Sequence, residues 1–124
     1  MKPKVLLVDD EEEFATALAE RLKLRNYDAR AAFNAEEAMA VVLKDPPDVM
    51  VLDMKMPGIS GVDIFKVVKQ VSPMVEVIIL SGHGSIQTLD KELEGEIFDY
   101  ALKPVDFDDL RQKIDKAFEK HRRS

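Results

Sequence analysis

Four short stretches of this chain end an apolar run on residues able to do chemistry. "VLLVDD" closes on Asp9 and Asp10, "VMVLD" on Asp53, "VIILS" on Ser81, and "DYALKP" on Lys103 and Pro104. Singly, each has an ordinary explanation: Asp caps helices, Ser before Gly opens loops, and Lys-Pro makes a turn with a solvated lysine. Together, three carboxylates, a hydroxyl and an ammonium are the parts of a site for a cation and a phosphate. Carboxylates crowded into a small volume repel one another unless cations intervene. A divalent ion plus Lys103 balances the three acids. Oxygen donors without His or Cys favour magnesium, a hard ion that keeps several waters and takes few carboxylates.

For these residues to meet, the runs that carry them must lie side by side. Val5 to Val8, Val49 to Leu52 and Val75 to Leu80 are short apolar runs suited to strands buried on both faces. Tyr27 to Phe33 is a weaker, alternating strand, and Phe98 to Leu102 is a fifth. Helical stripes alternate with them. The first runs from Glu12 to about Arg25 through Phe14, Leu18 and Leu22; the second, from Asn34 to about Lys44, has Asn34 as N-cap and Glu37 in a variant capping box. A third spans Val62 to Val71, a fourth has a thin stripe of Ile86, Leu89 and Leu93, and a fifth carries Phe107, Leu110, Ile114 and Phe118. Five strands alternating with five helices predict one α/β domain, a doubly wound parallel sheet covered on both faces. Such sheets bind ligands beyond the carboxyl ends of their strands, where the candidate residues fall.

Composition fits that reading. The 124 residues are 46% hydrophobic and 34% charged, enough for one packed core and too few for two ordinary domains. No apolar run approaches the ~20 residues of a membrane span, and no signal-peptide pattern opens the chain. The absence of cysteine removes disulfides and thiolate metal sites and fits the cytoplasm. A net charge of -6 argues against direct nucleic-acid binding. Lys120 to Arg123 is expected to be a solvated tail. Glu11, Glu12 and Glu13 are expected to be a solvated start to the first helix.

The quoted motifs, extended to "VMVLDMKMPGISG", "VIILSGHGS" and "DYALKPV", resemble the receiver domain of two-component response regulators over about Lys4 to Phe118. "DMKMPG" and "SGHGS" are similar in style to receivers that precede ATPase domains of transcriptional activators. The resemblance implies a flavodoxin-like (βα)5 sandwich with strand order 2-1-3-4-5. It implies that Asp53 accepts a phosphoryl group from the phosphohistidine of a sensor histidine kinase or phosphotransfer protein, with Mg2+ (or Mn2+) held by Asp10, by Asp9 mainly through water, by Asp53 and by the backbone carbonyl of Lys55. Ser81 then matches the hydroxyl that bonds the phosphoryl group, Lys103 its ion-pairing lysine, Lys103-Pro104 the cis peptide that places it, and Tyr100 the aromatic switch. Lys55 and His83 occupy the positions that tune phosphoryl lifetime. The fourth helix, fifth strand and last helix would form the output face for a downstream effector, with phosphorylation-dependent homodimerisation through that face as a further implication. The chain would catalyse only its own phosphorylation and dephosphorylation.

The chain also departs from the family. Glu96-Ile97 stands where a Gly-Ala pair is common, with Gly95 one place early, and the fourth helix is unusually polar, with Asp90, Lys91, Glu92 and Glu94. A haloacid-dehalogenase-like phosphatase would want an acid where Lys55 stands, and flavodoxins or nucleotide-binding folds would want a Ser/Thr/Gly-rich turn where the acids stand. A receiver-like binding module that signals without phosphate, or a phosphorelay intermediate, remains as an alternative reading, and the chain is either a single-domain regulator or a fragment.

Overall fold

A computed structural model of the chain describes residues 2–56, 61–82 and 96–123. Its elements are β1 (Lys4–Val8), α1 (Glu12–Lys23), β2 (Asp28–Ala32), α2 (Ala35–Lys44), β3 (Val49–Asp53), α3 (Gly61–Val71), β4 (Glu76–Ser81), β5 (Asp99–Leu102) and α4 (Phe107–Arg123). The strands form one parallel sheet in the order β2-β1-β3-β4-β5. The predicted helix around Ile86, Leu89 and Leu93 lies outside the described residues.

Continuous apolar strands arise because successive side chains point to opposite faces and both faces here are covered. Val5, Leu7, Val49, Val51, Ile78 and Leu80 pack on one face with Leu18 and Leu22 of α1 and Leu110 and Ile114 of α4. Their neighbours Leu6, Val8, Met50, Leu52, Val77 and Ile79 pack on the other with Val42 of α2 and Ile64, Phe65 and Val68 of α3. Each such side chain contributes about 1.5–3 kcal/mol of burial, so slipping a central strand by one residue would exchange two sets of apolar side chains and throw the site residues out of line.

Local chemistry sets the helix ends. Asn34 Oδ1 accepts the Glu37 amide at 2.8 Å, and Glu37 Oε1 reaches back to the Phe33 amide at 2.8 Å. The capping box therefore closes one residue before the cap. Helix α1 stops at Lys23, short of the expected Arg25, because the chain turns through Asn26 at φ 69, a left-handed conformation that Asn tolerates better than most residues.

At the other end of the chain Lys120, Arg122 and Arg123 are exposed, as expected, but they are helical rather than a loose tail. Lys120 to Arg123 belong to α4, which continues past Phe118. Lys120 Nζ lies 3.4 Å from the buried Glu76 carboxylate, and His121 bridges Asp48 Oδ1 (3.1 Å) and the Met74 carbonyl (2.6 Å). These contacts hold the last turn against the amino ends of β3 and β4. Among the described residues no helix is long and apolar enough to cross a membrane.

Candidate functional site

The site forms where the sheet runs out. Register pairs Val8 with Leu52 and Asp53 with Leu80, so Asp9 and Asp53 emerge at the same carboxyl edge. The Asp9 amide still bonds the Ala32 carbonyl at 3.0 Å, holding Asp9 one step past β1. Ser81 closes β4, and the Lys103 amide donates to the Ser81 carbonyl at 2.9 Å, which carries the lysine to that edge. The Lys103-Pro104 peptide is cis, as the resemblance implied.

Three sequence-predicted residues converge directly. Lys103 Nζ lies 2.8 Å from Asp9 Oδ2 and 3.7 Å from Asp53 Oδ2. Asp9 is 2% exposed and Asp53 4%, whereas Asp10 is exposed. Each buried carboxylate is braced by a backbone amide two residues on: Glu11 to Asp9 Oδ1 at 2.9 Å and Lys55 to Asp53 Oδ1 at 3.1 Å. Ser81 is buried, with its hydroxyl donating to the Gly82 carbonyl at 2.9 Å. Tyr100 is half-buried on β5 against the core beneath α2 and α3. The Lys55 residue is exposed, and His83 lies outside the described residues.

Electrostatics follow from burial. Desolvation pushes the Asp53 carboxyl up to about 6; the Lys55 amide pulls it down, the Asp9 charge pushes it further up, and Lys103 opposes that. Burial pulls the Lys103 ammonium down, but hydrogen bonds with Asp9 and Glu11 and the Asp53 charge outweigh it and hold the group well above the ordinary lysine range. Lys103 is thus a fixed cation at neutral pH.

One ammonium does not balance these acids. Asp9, Asp10 and Asp53 each offer an oxygen within 4.8 Å of the others. Asp9 Oδ2 is fully buried, with Lys103 Nζ 2.8 Å away as its ion-pair partner. Buried, closely spaced carboxylate oxygens are hard donors that suit a small divalent cation. The residues present fit magnesium.

Two residues at the site escaped the sequence reading. Glu11 Oε1 sits 2.6 Å from Lys103 Nζ, so this acid is no mere solvated neighbour. A Cβ on Gly61 would come within 2.8 Å of Met54 Cα and 2.9 Å of the Asp53 carbonyl oxygen, so the start of α3 packs directly on the backbone that carries Asp53. Glycine in the loop was visible in the sequence; the close approach was not.

Comparison with known proteins agrees with this geometry. The family model described as "Response regulator receiver domain" matches residues 5–115. The chain is 32% identical over 116 residues to sporulation initiation phosphotransferase F of Bacillus subtilis (strain 168), covering 94% of each. It is 33% identical over 113 residues to response regulator protein PilR of Pseudomonas aeruginosa and 34% over 117 residues to a putative NtrX-like response regulator of Rickettsia conorii. Those matches cover 91% and 93% of this chain but only 25% of each longer relative. Among solved structures, a response regulator receiver domain protein from Clostridium thermocellum superposes with a TM-score of 0.88 at 30% identity, covering 97% of both chains. A CheY-like receiver domain protein from Methanospirillum hungatei JF-1 gives 0.90 at 22% identity over 99% and 98% of the two chains, a likeness of fold. With its order of strands, its acidic edge and a family match across nearly its whole length, this chain belongs to the response regulator receiver domains of two-component signalling.

Proposed function

We propose that Asp53 is the phosphoacceptor and that Lys103, Ser81 and the acidic residues around it serve the transfer. The observation that carries this reading is a buried Asp53 facing Lys103 across a volume it shares with Asp9 and Asp10. An Asp53 oxygen attacks the phosphorus of a kinase or phosphotransfer-protein phosphohistidine. The P–O bond forms as the P–N bond breaks, and the imidazole nitrogen keeps the electron pair. Asp10, Asp9, Asp53 and the Lys55 carbonyl would hold magnesium, which when bound offsets charge on the phosphoryl oxygens. Lys103 adds a fixed positive charge that needs no reorganisation. The chain catalyses its own phosphorylation and the hydrolysis of the aspartyl phosphate, and Lys55 and His83 set how readily water reaches the product.

Signalling requires a contact that differs between the two states. The Ser81 hydroxyl now rests on its own backbone at Gly82; a phosphoryl group on Asp53 offers it a stronger, charged acceptor. Its rotation opens space toward which Tyr100 turns, altering the face that β5 and α4 present to an effector or a second copy. The relative named a phosphotransferase, matched over 94% of its length, supports a second role in the same chemistry: passing the phosphoryl group to another histidine.

The test is incubation with phosphoramidate and magnesium followed by intact-mass measurement. Wild type gains one phosphate, and Asp53→Ala or addition of chelator abolishes the gain. No gain in wild type would favour a binding module that signals without phosphate.

A further inference from the structure

We infer that Glu11 is a positioning residue that holds the Lys103 ammonium on the α1 side of the pocket, away from Asp53, until a phosphoryl group competes for it. The inference rests on Asp53 being the phosphoacceptor. Lys103 Nζ lies 2.6 Å from Glu11 and 2.8 Å from Asp9 but 3.7 Å from Asp53, and 5.0 Å from the centre of the Phe14 ring. Glu11 and Phe14 both belong to the start of α1, so two contacts draw the cation in the same direction. Glu11 stands at the N-cap of α1 yet its side chain makes no cap hydrogen bond. Its carboxylate serves the lysine instead of the helix.

The three acids hold the ammonium unequally. Asp9 and Asp53 are buried, while the Glu11 side chain is 64% exposed, and ion pairs in contact with water are the weakest kind. Phosphorylation replaces the Asp53 charge with roughly -2. The ammonium then closes on the phosphoryl oxygens, and Glu11 is the partner that yields. Loss of this contact releases the β5–α4 connection from the start of α1, and removing Glu11 in advance leaves Lys103 already free to approach Asp53. Glu12 and Glu13 carry the same charge nearby without an ion pair to Lys103, so they separate this effect from general electrostatics.

The test compares Glu11→Gln with Glu12→Gln. In the metal-free protein, the Lys103 Nζ and Cε resonances shift in Glu11→Gln and stay in place in Glu12→Gln. With phosphoramidate and magnesium, Glu11→Gln is phosphorylated about two- to fivefold faster than wild type, the range an exposed ion pair spans, while Glu12→Gln matches wild type. In a Lys103→Gln background the Glu11 effect disappears. Equal resonances in the two variants, equal acceleration by both, or an undiminished effect without Lys103 would each overturn the inference. A wild type that takes no phosphate overturns the assignment of Asp53 instead, and the resonance comparison still judges whether Glu11 holds Lys103.

Discussion

The Lys103 amide donates to the Ser81 carbonyl at 2.9 Å, extending the β4–β5 ladder one step past the Ser81–Leu102 pair. Ser81 and Lys103, which act on the same phosphoryl group in the proposed chemistry, are therefore set by one strand ladder. A change in β4–β5 pairing moves hydroxyl and ammonium together, which couples the site to the face that β5 helps to form.

The acidic run divides by function. Asp10→Ala should abolish magnesium-dependent phosphorylation, while Glu12→Ala should leave it near the wild-type rate. Phosphate incorporation by intact mass over a magnesium titration measures both.

Asp53 strains the metal-free fold at neutral pH. Its folded carboxyl holds a proton up to about pH 6, against 3.8 for the ordinary group, because burial opposes its charge. The stability linked to that proton is fully present below 3.8 and is lost as pH rises through about 6. Asp53→Asn should therefore be more stable than wild type by on the order of 2 kcal/mol at pH 7 in chelator, with the gap closing toward pH 4. Urea unfolding of both proteins across that range reads the difference.

Tyr27 links the start of β2 to α4 by donating its hydroxyl to Asp115. Burial first, then this hydrogen bond, pushes the phenol up to about 12, so its contribution is whole below pH 10 and is lost as pH rises through 12. Tyr27→Phe should cost about 1 kcal/mol at pH 8. Between pH 10 and 12 the gap between the two proteins should narrow, as followed by denaturant midpoints.

Gly61→Ala should lower stability by about 1–3 kcal/mol, the usual cost of overpacking. The added methyl meets the backbone of Met54 and Asp53, so phosphorylation should slow as well. Thermal unfolding and the phosphoramidate rate, measured on the same sample, separate the two effects.

Much of this was legible in the residues. β1, β3 and β4 showed as apolar runs because each is buried on both faces, and the acids, Ser81 and Lys103 stood out because each run ends on one of them. What stayed hidden depends on groups distant in sequence. Helix α4 extends to Arg123 because Lys120 and His121 find Glu76, Asp48 and Met74, partners that no periodicity reveals. Glu11 looked like one more charge in a run of five, and only the reach of Lys103 from 92 positions away distinguishes it. Gly61 has no chemistry of its own to mark it, and its role comes from the close approach of α3 to Met54.

The central claim is that Asp53 itself carries the phosphoryl group. Reductive trapping of the phosphorylated protein with borohydride converts an aspartyl phosphate to homoserine, and peptide mass spectrometry then locates the altered residue. Homoserine at position 53, dependent on magnesium and phosphodonor, is the predicted result; phosphorylated wild type with position 53 unmodified, or with the label on another aspartate, would contradict it.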